Sequence, residues 1–138
     1  MKRLLNEVAQ YIHNEDIGIY HPEATDGNIF IEVLPANPDK CIGIFARGGL
    51  IGDVTGKVTT AIIQFIVRDT DKLEALDIGY TIIKRLCGYN SKPLIMSGYG
   101  IVDTNASQGV PIYLETDQAG RHEYSVNLEI EYYIEEEL

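Results

Sequence analysis

Apolar residues recur at two spacings along this chain, and the two spacings separate predicted helices from predicted strands. Between residues 2 and 14 they recur every three or four positions, which predicts an amphipathic helix. The same spacing predicts a second helix that begins after Asp69-Thr-Asp71, where a carboxylate supplies the N-cap, and that ends near Cys87. The positions predicted to face inward on this second helix are Leu73, Leu76, Tyr80, Ile83 and Leu86.

Most remaining apolar residues lie in short stretches rich in isoleucine, valine and tyrosine, which are typical of strands. These stretches predict six strands, at residues 28–34, 41–46, 58–68, 93–103, 110–115 and 121–134. The last strand alternates apolar with polar residues, which indicates one buried face and one polar face. The 58–68 strand differs because Ile62 and Ile66 add apolar side chains to its second face, so both faces must be at least partly covered.

The order of the predicted elements is helix, three strands, helix, three strands. Runs of consecutive strands with single helices between them predict an α+β fold, a mostly antiparallel β-sheet of about six strands with two main helices packed on it. The chain has 138 residues and is 45% hydrophobic, which fits a single domain over residues 1–138. No apolar run approaches the ~18 residues of a membrane span, so we expect no membrane partner and a protein made in the cytosol.

The segment from Arg47 to Lys57 is rich in glycine and ends in Gly-Lys, like the end of a phosphate-binding loop. Such a loop needs Gly, four residues, then Gly-Lys-Ser/Thr. Here the first glycine position is Ile51 and the hydroxyl position is Val58, and the segment leads into a predicted strand where a helix is required. We therefore predict a long flexible connection between strands, in which the glycines permit either mobility or a close approach of the backbone to a neighbour.

Other candidate sites for chemistry fail on residue type or spacing. Pro38-Asp39 is similar to the start of a restriction-type nuclease site, but no Asp/Glu-x-Lys follows it. Asp69 and Asp71 could bind a hard cation or cap the second helix, and capping is the interpretation that we prefer. No nucleophile signature accompanies the three widely separated histidines, His13, His21 and His122. We expect no catalytic residue, no metal site and no cofactor.

Charge and cysteine content argue against two further kinds of protein, those that bind nucleic acid tightly and those that depend on disulfides or zinc. The formal net charge of -10 would repel phosphate backbones, which argues against tight binding to nucleic acid. Cys41 and Cys87 are too few for a disulfide framework and lack partners at zinc spacing, so we expect two free, half-buried thiols.

Four segments in a fixed order carry a resemblance to a known family. They are Leu4-Leu-Asn-Glu-Val8, Leu34-Pro-Ala-Asn-Pro-Asp39, Gln64-Phe-Ile-Val-Arg-Asp69 with the following helix that bears Ala75, and Gly120-Arg-His-Glu-Tyr-Ser-Val-Asn-Leu-Glu-Ile-Glu-Tyr132. Together they resemble the tail terminator proteins of long-tailed bacteriophages, often named phage minor capsid proteins, over nearly the full chain.

The resemblance implies a virion structural protein without enzymatic activity. It implies a homo-hexameric ring that caps the tail tube, stops tube polymerisation and offers a surface to the head-completion protein at the head-tail junction, after assembly in the host cytoplasm. DNA would pass through the ring without specific binding, which agrees with an acidic chain that repels DNA. The residues that we assign as candidate interface positions are Gly48, Gly49, Gly52, Lys57, Ile62, Ile66, Arg68 and Arg121.

Several alternatives stay open at this point. The chain could be another head-tail connector or a tail-tube protein, or a small intracellular enzyme or ligand-binding domain that uses a cleft near Tyr113 and His122. Arg68 and Arg121 are either lone surface arginines or partners of carboxylates across a subunit boundary, where the arginine fork is well suited.

Overall fold

The computed structural model describes residues 3–22, 26–51, 58–87 and 96–134, without the side chains of residues 49–51 and 102. Two helices and six strands follow in the order α1 (Leu4–Asn14), β1 (Ile29–Ile31), β2 (Cys41–Ile51), β3 (Thr59–Asp69), α2 (Lys72–Leu86), β4 (Tyr99–Ala106), β5 (Ile112–Thr116) and β6 (His122–Ile134). The predicted α+β fold is therefore confirmed in its class.

The strands form one sheet with the order β1-β2-β3-β6-β4, and β5 also pairs with β6. The long strands β2, β3 and β6 are antiparallel neighbours, whereas β1 runs parallel to β2, so the sheet is mixed. Strands β4 and β5 share one edge of β6, because β5 pairs with its first residues and β4 with its last residues. The sheet thus ends in β1 on one side and in β4 and β5 on the other.

Both helices pack on the same face of the sheet. The face of α1 that bears Val8, Ala9 and Ile12 is buried, and the side chains of Phe65 and Leu128 are fully buried beneath the helices. On the opposite face, which we call the helix-free face, the polar residues of β6 alternate with the buried ones as the sequence predicted. One residue departs from that pattern, since Ser125 is buried and accepts a hydrogen bond from Gln64 at 2.9 Å.

The ends of α2 are as predicted, and its buried face agrees with the prediction only in part. Asp71 is the N-cap, and its carboxylate accepts hydrogen bonds from the backbone N–H groups of Leu73 and Glu74 at 3.0 and 3.3 Å. Leu73 was predicted to face inward and is 69% exposed, and Tyr80 is 43% exposed. Ile83 and Leu86 are buried as predicted, and Ala75, Gly79 and Ile82 are buried in addition. Gly79 faces the sheet where the helix lies close to Pro111 and Val126.

Strand β2 is longer and β1 shorter than predicted. The loop expected over residues 47–57 is strand as far as Ile51, and the remaining residues of that segment, 52–57, lie outside the described residues. Strand β1 ends at Ile31 because Glu32 takes a left-handed φ of 59°. On the other side of the sheet, β4 runs from Tyr99 to Ala106, whereas the predicted strand was 93–103. Residues 93–95 of that prediction lie outside the described residues.

Candidate interaction surfaces

The glycine-rich part of β2 forms a bulge against β3. The pairing register shifts between Ala46 and Gly49, and Gly48 within the shift has a φ of 95°, a backbone conformation that residues with a Cβ rarely adopt. Gly49 then pairs with Ala61 of β3. Two other predicted interface residues, Gly52 and Lys57, lie outside the described residues.

A groove of about 550 Å³ lies beside this bulge, between the start of α1 and the sheet. Its apolar wall is contributed by Leu4 and Leu5 of α1, by Ile63 of β3 and by Tyr132 of β6. Gly48 lines the same groove, so the bulge and the start of α1 form one concave surface.

The helix-free face carries a chain of polar hydrogen bonds across three strands. Arg47 of β2 donates to Gln64 of β3 at 2.7 Å, and its guanidinium lies over the ring of Phe45. Gln64 in turn donates to Ser125 of β6, which also accepts from Asn127 at 3.2 Å. Because these groups satisfy one another, the face is structured although neither of the two described helices covers it.

Ile62 and Ile66 lie on this helix-free face, one on each side of Gln64 along β3. Both are half-buried, which agrees with the prediction that each face of this strand is partly covered. The cover near Ile66 comes from the segment after β1, since a Cβ on the neighbouring Gly43 would lie 3.1 Å from the Leu34 side chain.

Arg68 is not a lone surface arginine, because its side chain is 2% exposed. The guanidinium donates to the carbonyl oxygens of Pro35 and Pro38 at 2.6 and 2.7 Å, and to that of Asp39 at 3.3 Å. The buried cation is thus compensated by backbone acceptors of its own chain. Its donors are used within the subunit, where they hold the segment 35–39 against the end of the sheet.

Arg121 supports the same segment from the other side. Its guanidinium donates to the Asp117 carboxylate at 2.8 Å, to the carbonyl oxygen of Ala36, and to the Asp39 carboxylate at 3.4 Å. A backbone N–H bond from Arg121 is the main cause that lowers the pKa of Asp117 from its usual value. The structure therefore brings Arg68 and Arg121 together on one exposed turn, which we call the 35–39 turn.

An acidic pair lies next to these arginines. Glu115 of β5 and Glu123 of β6 are directly paired across the strands, and like charges in such a pair repel. Burial raises the pKa of Glu123, and the charge of Glu115 raises it further, while Arg68 and Arg121 act in the opposite direction. The positive charges of Arg68 and Arg121 thus offset part of the repulsion between the Glu115 and Glu123 carboxylates.

Tyr113 and His122, the residues of the alternative cleft, do contact each other. The Tyr113 hydroxyl lies 3.0 Å from Nδ1 of His122, and the Thr116 hydroxyl bonds to the same Tyr113 hydroxyl. The Lys72 ammonium lies 4.5 Å from the centroid of the Tyr113 ring. The cluster is exposed, at the edge strand β5, and the 550 Å³ groove lies at the opposite ends of β3 and β6.

Both cysteines are buried and unpaired, as free thiols. Burial raises the pKa of Cys41 and of Cys87 to about 11, which disfavours the reactive thiolate at neutral pH. Across the described ranges, no group of three histidine, cysteine or carboxylate side chains is arranged to hold a metal ion. The same ranges contain no helix long and apolar enough to cross a membrane.

One surface was missed by the sequence prediction. Among the described residues, six of the ten exposed large apolar side chains lie on α2 or on the segment that enters and forms β5: Leu73, Tyr80, Val110, Ile112, Tyr113 and Leu114. All five residues of β5 are exposed. A usable signal was present, because a predicted strand with apolar residues at consecutive positions 112–114 cannot bury all of them in a single core.

Comparison with known families gives one assignment. The family model described as bacteriophage tail terminator protein matches residues 11–134, which include all six strands and α2. No curated protein matches the chain.

Proposed function

Because the chain belongs to the bacteriophage tail terminator family, we propose that it caps the tail tube as a homo-hexameric ring that ends tube polymerisation. The family is one of structural proteins of the virion tail, so the coarse function follows from membership. The proposal adds the ring, the contact with the tube protein and a joining surface for the head-completion protein at the head-tail junction. Assembly takes place in the host cytoplasm.

The observation that carries the proposal is the extent of the family match. It begins inside α1 and continues to the last described residue of β6, so it covers the whole sheet. A match of this extent concerns the entire domain, in contrast to a short motif that unrelated folds can share.

The surface of the chain agrees with a role in assembly. The groove beside Gly48, the 35–39 turn and the apolar residues around β5 lie at different places on the domain. A ring subunit in a tail needs several distinct contacts, to two neighbouring copies and to the proteins above and below. The predicted interface residues, including Ile62 and Ile66, remain predictions within this scheme.

The charge of the chain agrees with a DNA path through the ring. A net charge of -10 in each subunit would give a channel that repels phosphate groups, so DNA would slide through without binding specifically. We infer that the chain acts through assembly and performs no reaction of its own, with no cofactor.

The test is the growth of tail tubes in the presence of the purified chain. The matching tube protein is allowed to polymerise with increasing amounts of the chain, and tube lengths and tube ends are measured by electron microscopy. We expect shorter tubes, each with a six-fold cap at one end, and a length that falls as the ratio of chain to tube protein rises.

A matched control uses the same chain after irreversible heat unfolding, which preserves mass and charge but removes the fold. Copolymerisation of the native chain along the whole tube would instead assign it as a tube protein. Unchanged tube lengths without any bound chain would reject the terminator function.

A further inference from the structure

The exposed apolar residues around β5 form one continuous surface with the flank of α2. A Cβ on Gly79 of α2 would lie 2.8 Å from the ring of Pro111, immediately before β5, and Lys72 lies over the Tyr113 ring. The opposite flank of α2 faces α1, where Arg85 and Glu15 form an ion pair at 3.5 Å. The β5 flank of α2 meets no third helix in the described part of the chain.

Strand β5 exposes apolar side chains on both faces of the sheet. Ile112 pairs with Ser125 and thus lies on the helix-free face, whereas Tyr113 pairs with the buried Tyr124 on the helix side. A globular surface laid on one face would cover only one of them. A strand that adds to the edge of β5 would contact both, and it would also pair with the backbone groups that face away from β6.

The charge distribution favours a second copy of the same chain as the source of that strand. Two copies with a net charge of -10 each repel, so their contact surfaces must be poor in charge. No acidic or basic side chain occurs between Thr104 and Leu114, the stretch that leads into β5. A contact at this stretch brings two acidic subunits together at an uncharged part of the edge, and Glu115 is the one carboxylate within β5 itself.

The same chain has a second sheet edge that is also apolar and poor in charge. At the opposite end of the sheet lies β1, whose residues Ile29-Phe-Ile31 are uncharged. The carbonyl oxygen of Ile19 already accepts the N–H of Ile29 at 3.1 Å, so the open part of this edge runs from Ile31 to Val33, which is 48% exposed. The one charge in this stretch is Glu32, and its carboxylate accepts the backbone N–H of Ala46 at 2.9 Å. Two unlike edges, joined copy to copy, make a head-to-tail contact that can close into a ring.

We propose that β5 and the adjoining flank of α2 bind the β1 edge of a second copy of this chain, so that the sheets of neighbouring subunits join edge to edge. The inference rests on the proposed ring function and names its subunit contact. Taking about 200 Å² for a large apolar side chain, the six exposed residues present on the order of 500 Å² of apolar surface. A stable interface buries about 800 Å² of surface on each partner, so this apolar surface is a large part of what is needed. Pairing of the two strands would bury additional polar backbone surface.

The experiment compares two single substitutions of exposed isoleucines in the full chain. Ile112→Lys places a charge in the proposed contact, and Ile134→Lys does the same at the far end of β6, about 30 Å away along the strand. The two residues are 41% and 49% exposed, so neither change disturbs the core. Leu114→Lys is a second variant in the contact, and circular dichroism checks the fold of all three.

The readout is mass in solution over a range of concentrations, repeated in the presence of tail tubes. We expect Ile112→Lys and Leu114→Lys to raise the concentration for half-assembly at least about tenfold, and Ile134→Lys to leave it unchanged. Equal assembly of all variants and the native chain would overturn the β5 contact and leave the ring function standing. A native chain that neither assembles nor binds tube ends would reject the ring function itself.

A cross-linking experiment tests whether the β1 edge is the surface that β5 binds on the second copy. Cysteines introduced as Leu114→Cys and Val33→Cys in one chain are treated with a short bismaleimide, while Cys41 and Cys87 stay largely unreactive because burial raises the pKa of each to about 11. We expect a ladder of up to six cross-linked copies. A product that stops at the dimer, formed equally by Leu114→Cys alone, would contradict the β1 edge and indicate symmetric β5–β5 pairing.

Discussion

At the scale of single residues, the two arginines show what a sequence can and cannot reveal. Both were selected because the arginine fork suits ion pairs across a boundary. The structure places Arg68 inside the subunit, on three backbone carbonyl oxygens of the 35–39 turn, and Arg121 on the same turn. Their carbonyl partners belong to residues about 30 and 85 positions away, and backbone acceptors leave no trace in side-chain composition. Arg121 also binds the carboxylates of Asp117 and Asp39 within the subunit.

The role of Arg68 leads to a stability prediction. Arg68→Met keeps much of the apolar stem but removes all three hydrogen bonds and leaves partly buried carbonyl groups without donors. We expect a loss of about 2–4 kcal/mol in the free energy of unfolding. The matched control is Arg47→Met. Arg47 is exposed, and its side chain donates to Gln64 and lies over the Phe45 ring, so we expect a loss of about 0.5 kcal/mol.

Chemical denaturation of the native chain and both variants, with one protein concentration throughout, measures the difference. Equal effects of the two substitutions would show that the turn does not depend on Arg68.

At the scale of elements, the boundaries of α2 were easier to predict than its orientation. The N-cap at Asp71 and the end of α2 follow from local chemistry that the sequence displays directly. The buried face of α2 depends on what packs against it. Leu73 and Tyr80 were assigned to the core because they are large and apolar, but Gly79 lies against Pro111 and Val126, where only a small residue fits. Hydrophobicity alone does not report how closely two elements approach.

The bulge in β2 is a second feature that local pattern did not predict. A run of glycines at residues 48–49 is typical of a loop, and the structure uses Gly48 to shift the register while the strand continues to Ile51. Strand β3 supplies the reason, since its pairing partners extend to Thr59 and stabilise the extended backbone of β2.

This bulge is tested by Gly48→Ala. No heavy atom lies within 4 Å of a Cβ at this position, so the expected cost comes from the φ of 95° alone, about 1–2 kcal/mol of unfolding free energy. Gly109→Ala is the matched control, because its added Cβ also meets nothing and Gly109 is not among the glycines with positive φ. Thermal unfolding of both variants checks this, and an equal shift in Tm for the two would mean that Gly48 is not strained.

At the scale of the whole molecule, the sequence predicted the class of the fold and the family, and it could not predict the surfaces that meet. Element order and strand alternation determine an α+β sheet with helices on one face, and most of that follows from local periodicity. Which sheet edge remains open is a property of the topology. The consecutive apolar residues 112–114 indicate that part of β5 is exposed, but the sequence does not reveal that β4 and β5 share one edge of β6.

Edge-to-edge joining of subunits has a consequence for the path of DNA. It would make one closed sheet whose two faces point into and out of the ring. The helices make each subunit wider on the face that they cover. That face would therefore point outward, where the circumference of the ring is larger. The helix-free face would then line the channel. That face carries exposed carboxylates at Asp103 and Glu129, and Glu131 pairs with Asp103 across the strands. The channel wall would then be acidic where DNA passes.

This arrangement predicts that the position of a charge matters more than the net charge. The double substitution Asp103→Lys with Glu129→Lys changes the subunit charge by +4 on the helix-free face, and Glu74→Lys with Asp77→Lys makes the same change on the exposed side of α2. We expect the first variant to retain duplex DNA within assembled rings at low salt and release it as salt rises, because the new lysines displace counterions from phosphate groups. The second variant should bind much less. Fluorescent DNA co-sedimented with rings across a salt series measures retention, and equal retention by both variants would show that the helix-free face does not line the channel.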